Sequence, residues 1–157
     1  MNLILWRHAE AEDRAATDLA RQLTTKGRKE AQQTAKWLRT RLPHDAVILA
    51  SPATRTIQTA EALTDQYRVV RELAPGAGVD EVLAAAGWPR GAASAVVVVG
   101  HQPTLGEVAS RLLNGNAAGG LSMKKGALWW FASRESTNPQ TGDATAVLLA
   151  AMSPDLV

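Results

Sequence analysis

Leu3-Ile4-Leu5-Trp6-Arg7-His8-Ala9-Glu10 is the stretch that decides how the rest of the chain is read. The apolar run Leu3 to Trp6 has the length and flanks of a buried strand, with no competing helical period. Arg7 and His8 then fall at its carboxyl end. In an open α/β sheet ligands bind outside the carboxyl ends of the strands, so an imidazole able to act as a nucleophile stands there beside an anion-binding guanidinium. An isolated Arg-His pair is also ordinary surface decoration, and the remaining chain has to supply its partners.

The same pattern recurs twice. Ala46 to Ala50 reads as a short apolar strand, and Ser51-Pro52 after it reads as an N-cap and first-turn pair that starts a helix to about Gln66. Arg55 then lies in the first turn, where free backbone N–H groups and the helix dipole favour an anion. Ala95-Val96-Val97-Val98-Val99 is β-branched, lacks polar alternation and is expected to be central and parallel. It runs into Gly100-His101-Gln102-Pro103, with a helix expected from Pro103 to about Leu113. Right-handed parallel connections bring the carboxyl ends of such strands to one edge of the sheet, so Arg7, His8, Arg55 and His101 are expected to share a pocket. Taken singly, Arg55 also reads as a helix-surface arginine and His101 as a satisfied strand-end histidine. His44 follows Pro43 in a loop and is expected to be exposed.

Between these segments, Ala11 to Leu23 reads as a polar loop. A helix is expected over about residues 26 to 41, capped by Thr24 or Thr25, with Ala31, Thr34, Ala35, Leu38 and Leu42 near helical spacing. Further on come a short strand at Arg68 to Val70, a loop at Arg71 to Gly78, a helix at Val79 to Ala86 and a break at Gly87-Trp88-Pro89. After the helix that ends near Leu113 follow a glycine-rich loop at Asn114 to Gly120, a strand at Gly126 to Ala132, a turn-rich connection at Arg134 to Asp143 and a last strand at Thr145 to Met152. The last two strands are expected to pair as an antiparallel hairpin. The fold class is therefore α/β, a three-layer α/β/α sandwich with a mostly parallel central sheet and an antiparallel C-terminal edge strand. Trp37 and Trp129 or Trp130 read as packing residues, and Trp6 as a residue able to shape the pocket floor.

Composition narrows the function classes. With 157 residues, 46% of them hydrophobic, the chain can bury one core and is expected to form one domain over 1–157. It has no cysteine and three histidines, which excludes disulfides and thiol catalysis and argues against a metal site. No apolar run approaches the ~18 residues of a membrane span, so a soluble, cytoplasmic protein is expected. The net charge of +2 is dispersed, and besides five Trp the aromatics are one Tyr and one Phe, a poor basis for binding nucleic acid.

The same residues match a family. Leu5-Trp6-Arg7-His8-Ala9-Glu10 resembles the Arg-His-Gly/Ala signature of the histidine phosphatase superfamily, whose better-known members include the phosphoglycerate mutases. Arg21-Gln22-Leu23-Thr24-Thr25-Lys26-Gly27 is similar to its second block. Ser51-Pro52-Ala53-Thr54-Arg55-Thr56-Ile57-Gln58-Thr59-Ala60 resembles the third block and Val98-Val99-Gly100-His101-Gln102-Pro103 the fourth. Small size and the Arg-His-Ala-Glu-Ala variant are most similar to the short SixA-type branch of phosphohistidine phosphatases.

That resemblance implies that His8 is a nucleophile that accepts a phosphoryl group, that Arg7, Arg55 and His101 bind its oxygens, and that water then hydrolyses phospho-His8 without metal or cofactor. Arg21 also matches a phosphate-binding position. The physics is consistent: attack needs a neutral imidazole, which nearby guanidinium charge favours, and a cationic clamp stabilises charge on the transferring phosphoryl oxygens. Glu10 and Glu72 are the candidate proton donors, because a phosphate monoester leaves as an alkoxide that needs a proton. Glu72 lies about where larger members of the superfamily carry an acid, whereas the short branch generally lacks one. An imidazole leaving group is a much weaker base, so a missing acid favours a P–N substrate. No long insertion follows Arg55 or the third strand, which suits a pocket open to a phosphorylated protein such as a histidine-containing phosphotransfer domain. Three readings follow: a phosphohistidine phosphatase, a phosphatase of small phosphate monoesters, and a phosphate-binding or interaction module without turnover.

Overall fold

The computed structural model describes residues 1–135 and 144–157, so all but the first two residues of the expected turn-rich connection, residues 136–143, lie outside the described residues. The strands are β1 (Asn2–Arg7), β2 (Val47–Ala50), β3 (Arg68–Val69), β4 (Ala95–Gly100), β5 (Leu128–Arg134) and β6 (Thr145–Met152). The helices are α1 (Thr25–Arg39), α2 (Thr54–Leu63), α3 (Val79–Ala86) and α4 (Thr104–Asn114). The six strands form one sheet in the order β3-β2-β4-β1-β5-β6. Pairing is parallel from β3 to β1, then antiparallel between β1 and β5 and between β5 and β6. This is the expected α/β sandwich, and its terminal hairpin forms one edge.

The two faces of the sheet follow from the pleat, which sends alternate side chains to opposite sides. Leu3, Leu5, Leu49, Val96 and Val98 pack with residues of α3 and α4 such as Val82, Leu105 and Val108. Ile4, Trp6, Ile48, Ala50, Val97 and Val99 pack with Ala35, Leu38, Ala60 and Leu63 of α1 and α2. Because both faces are covered, β1 and β4 lack polar alternation, the feature that marks them as central. Trp6 is fully buried on the α1/α2 face and its indole N–H donates to the Gly126 carbonyl at 3.2 Å, so it belongs to the core and not to a pocket floor. Trp130 meets Trp37 edge to face at 6.1 Å, as packing residues do. Among the described residues no helix is long and apolar enough to cross a membrane.

Local chemistry fixes the helix ends that matter for the site. Thr24 caps α1 by accepting from the Gly27 N–H at 3.0 Å. The expected start of α2 at Ser51-Pro52 is corrected: the helix begins at Thr54, and Ala53 is the N-cap residue. Ser51 stays outside because its backbone N–H continues the sheet by donating to Val99 O at 3.1 Å and its hydroxyl is bonded to a distant side chain. The turn is closed by the Thr56 hydroxyl, which donates to the carbonyls of Ser51 and Ala53.

One glycine governs the wall beside β1. The Gln102 amide donates to Leu121 O at 2.9 Å and accepts from the Gly106 N–H at 2.7 Å, while the Leu121 N–H donates to Gly106 O at 3.1 Å. A Cβ at position 106 would lie 1.7 Å from the Leu121 carbonyl oxygen. Gly106→Ala is therefore expected to push the 121–126 segment off α4 and to destabilise the protein by about 1–3 kcal/mol. A lowered denaturation midpoint with an unchanged m-value is the result that checks it.

Candidate active site

The strand order places the carboxyl ends of β2, β4 and β1 side by side, and Ser51, His101 and His8 are the residues that leave these strands. Backbone bonds hold the exits together: His8 N–H donates to Gly100 O at 3.1 Å and Ser51 N–H to Val99 O at 3.1 Å. The turn after His8 is tied to α2, because Ala9 N–H donates to the Thr59 hydroxyl at 3.1 Å and that hydroxyl donates to the Arg55 carbonyl at 2.7 Å. The structure thus brings Arg7, His8, Arg55 and His101 together. His44 is exposed, away from them.

His8 is buried, with its ring 5.4 Å from that of His101. Its Nδ1 lies 2.8 Å from Ala9 O, a carbonyl that can only accept, so Nδ1 carries the hydrogen and Nε2 keeps its lone pair. Among the described residues Nε2 has no hydrogen-bond partner, and it is not fully buried. Burial is the main cause that lowers the pKa of His8 from 6.5 to about 4; the Ala9 bond, next in size, opposes it, and the charges of Arg55, Arg7 and Arg21 lower it further. The guanidinium influence expected from sequence is present, and desolvation outranks it. A neutral imidazole with an open, unprotonated Nε2 is the nucleophilic form.

His101 is held by Ser51, a residue whose role the sequence reading missed. Its Nε2 lies 2.7 Å from Ser51 Oγ, which also accepts from the Ala53 N–H at 3.3 Å. The only forewarning was a serine directly at a strand exit, and it reads equally well as a helix cap. Nδ1 of His101 has no partner among the described residues and is not fully buried. Ser51→Ala is expected to lower kcat about tenfold and also to lower the melting temperature, because the buried His101 ring loses its partner, and Ser51→Thr to restore most of the rate, since the hydroxyl orients the ring. Steady-state rates alongside thermal melts decide the point.

Two guanidinium groups face the rings. Arg7 Nη1 donates to Met123 O at 2.6 Å, and Arg55 Nη1 donates to Asp18 O at 2.9 Å. The Nε of each is buried without a partner. A buried N–H left unmade costs about 1–3 kcal/mol, so each guanidinium keeps one unsatisfied donor beside the rings. Burial also lowers the pKa of Arg7, the behaviour of a cation kept from water without an opposite charge.

The acidic residues are arranged otherwise than the sequence suggests. Asp18, on a 3₁₀ turn over Asp18–Ala20, is bonded into the site: its Oδ2 accepts from Arg55 Nη2 at 3.2 Å and its Oδ1 from Arg21 Nε at 3.2 Å. The pull of Arg55 and Arg21 outweighs desolvation and lowers its pKa. Arg21 also donates to Glu12 O at 3.2 Å, and its charge acts on His8 from the loop wall. Glu10 is engaged at the start of α1, where its Oε1 accepts from the Thr24 hydroxyl at 2.9 Å and its Oε2 lies 3.9 Å from Lys26 Nζ. Glu72 is exposed and makes no hydrogen bond or ion pair with a described residue, while Leu73 and Ala74 line the wall beside His101. Neither of the two candidate proton donors is hydrogen-bonded to His8, and Glu10 lines a cavity together with Arg7 and Met123. Among the described residues no group of three or more His, Cys, Asp or Glu is placed to hold a metal ion.

The buried rings make stability depend on pH. Both histidines are harder to protonate when folded, His8 at about 4 and His101 at about 3, than in the unfolded chain near 6.5. The unfolded state therefore binds protons first as pH falls, and the stability these rings contribute is complete above pH 6.5 and is lost as pH falls toward 4 and 3. Denaturation midpoints should drop across that window in the wild type and drop less in His101→Asn.

Residues 3–82 match the histidine phosphatase superfamily (branch 1). An uncharacterized protein of Picosynechococcus is 37% identical over 136 residues, covering 82% of each chain. The phosphohistidine phosphatase SixA of Escherichia coli is 34% identical over 123 residues, covering 73% of this chain and 76% of its own. The solved structure of the protein histidine phosphatase SixA complexed with tungstate superposes with a TM-score of 0.80 at 26% identity, covering 99% of this chain and 98% of that one. Matching sequence blocks and whole-chain superposition lead to one assignment: this chain belongs to the histidine phosphatase superfamily, on its SixA-type branch.

Proposed function

We propose that this protein is a phosphohistidine phosphatase that removes the phosphoryl group from a protein histidine by way of phospho-His8, without metal or cofactor. Nε2 of His8 attacks phosphorus as the P–N bond to the substrate ring breaks, and the bonding pair stays on the departing nitrogen. Arg7, Arg55 and His101 hold the three oxygens through this transfer, supplying charge where it spreads. Water then attacks phospho-His8, the bond to Nε2 breaks, and the pair returns to the ring as inorganic phosphate leaves. The likeness to SixA supports the reading, and so does tungstate in that relative, an oxyanion of phosphate-like shape.

One observation carries the choice of P–N over P–O substrates. The acidic side chain bonded to the site arginines is Asp18, and both guanidinium groups keep it ionised, so it has no proton to give to an alkoxide. An imidazole leaves without one. The short connections after α2 and β3, with no long insertion over the site, suit a phosphorylated domain, with a histidine-containing phosphotransfer domain as the fitting partner.

The test is a rate comparison, with and without chelator, on a phosphohistidine-bearing protein and on a panel of phosphate monoesters. Fast, chelator-insensitive loss of phosphohistidine with weak monoester turnover is expected. Strong turnover of a single monoester would replace the proposal with a metabolite phosphatase. Silence on every substrate would leave a phosphate-binding module.

A further inference from the structure

We propose that Asp18 selects the substrate, its carboxylate accepting a hydrogen bond from the second ring nitrogen of a phosphohistidine whose phosphoryl group lies on Arg55. This rests on the phosphohistidine reading above and goes beyond it by assigning the recognition of the leaving group to a residue outside the four-residue cluster.

Position is the first argument. Arg55 binds residue 18 twice, through the backbone oxygen at 2.9 Å and the carboxylate at 3.2 Å, so the Asp18 side chain adjoins whatever that guanidinium holds. The side chain of Arg55 is 5% exposed and that of Asp18 is 59% exposed, which puts the carboxylate at the mouth, on the side from which a substrate enters. The turn that carries it is tied down at both ends: Arg21 N–H donates to Asp18 O, Glu12 N–H donates to Gln22 O at 2.7 Å, and Ala11 bridges Leu23. Spare acceptor capacity is the second argument. Each carboxylate oxygen takes one arginine bond, leaving a lone pair on each for a donor from outside.

Chemistry supplies the third. A phosphorylated imidazole that carries a proton on its other nitrogen departs as a neutral ring: the P–N pair stays on one nitrogen, the proton stays on the other, and no proton moves during the step. Without that proton it would have to leave as an anion. A fixed carboxylate at the second nitrogen favours the protonated ring and so activates the leaving group. The same carboxylate repels an alkoxide or an acidic metabolite at that place, and the site gains its discrimination from both signs of the interaction.

Asp18→Asn removes the charge and keeps the backbone oxygen that anchors Arg55. Measured on free phosphohistidine and on nitrophenyl phosphate, the variant is expected to lose on the order of 10- to 100-fold in kcat/KM for phosphohistidine, as for a charge-assisted hydrogen bond. It is expected to gain several-fold on nitrophenyl phosphate, whose leaving group is anionic. Asp18→Glu, which restores the charge, should recover part of the phosphohistidine preference. A parallel fall on both substrates would mean that Asp18 merely props Arg55, and an unmoved ratio would mean that it does not meet the substrate; either result overturns the inference and leaves the phosphohistidine reading intact. A wild type inert toward a phosphohistidine-bearing protein overturns that reading, and the inference with it.

Discussion

His8→Ala is expected to cut turnover on the order of 10⁴-fold or more, the loss seen when a covalent nucleophile is removed. The other imidazole of the site, His101, is held on Ser51 with its ring 5.4 Å from that of His8, away from the place of the lost nitrogen. The chain has no cysteine, and the Ser51 hydroxyl is bonded to His101 Nε2 at 2.7 Å. The effect is expected in kcat, because Arg7, Arg55 and His101 remain to bind the phosphoryl group, and the variant should still take up phosphate or tungstate. Rapid quenching with a labelled phosphoryl donor gives the decisive readout. The wild type should yield an acid-labile, alkali-stable phosphoenzyme and the variant none. A variant that kept either the phosphoenzyme or substantial turnover would remove His8 from the chemistry.

Arg55→Ala is expected to lower kcat by roughly 10³-fold, as loss of a phosphoryl-clamping arginine does, and Arg55→Lys is not expected to rescue it. The reason is geometric. Nη1 and Nη2 are already committed to the backbone and carboxylate of Asp18, while Nε is buried without a partner. A planar fork serves a wall and an oxyanion together, whereas a lysine ammonium is a single point charge that would go to Asp18. Both variants should also weaken inhibition by tungstate. A lysine variant close to wild type would show that charge alone, without the fork, suffices at this position.

The legibility of the chain follows the range of the forces involved. β1, β4 and α3 could be read from sequence because their causes are local: β-branched or apolar runs without alternation for the strands, and a helical stretch closed by Gly87, whose positive φ of 69° favours glycine. The start of α2 misled by two residues because the competing bond comes from His101, fifty positions away. Trp6 read as a pocket residue because it adjoins Arg7, yet the pleat sends neighbours to opposite faces and it went into the core. Glu10 and Glu72 were singled out by their neighbours in sequence, and each turned out to have its surroundings set elsewhere, at the start of α1 and in solvent.

By itself, then, the sequence determined the residue types at the strand exits, the α/β alternation that produces those exits, and the family blocks that contain Arg7, His8, Arg55 and His101. Only the tertiary structure decided which nitrogen of His8 stays open, which hydroxyl orients His101, and that the carboxylate meeting the arginines belongs to Asp18 in a polar loop with no periodicity of its own. Those facts depend on β2, β4 and β1 lying side by side and on a loop folding back onto α2, long-range contacts that no local run of residues encodes.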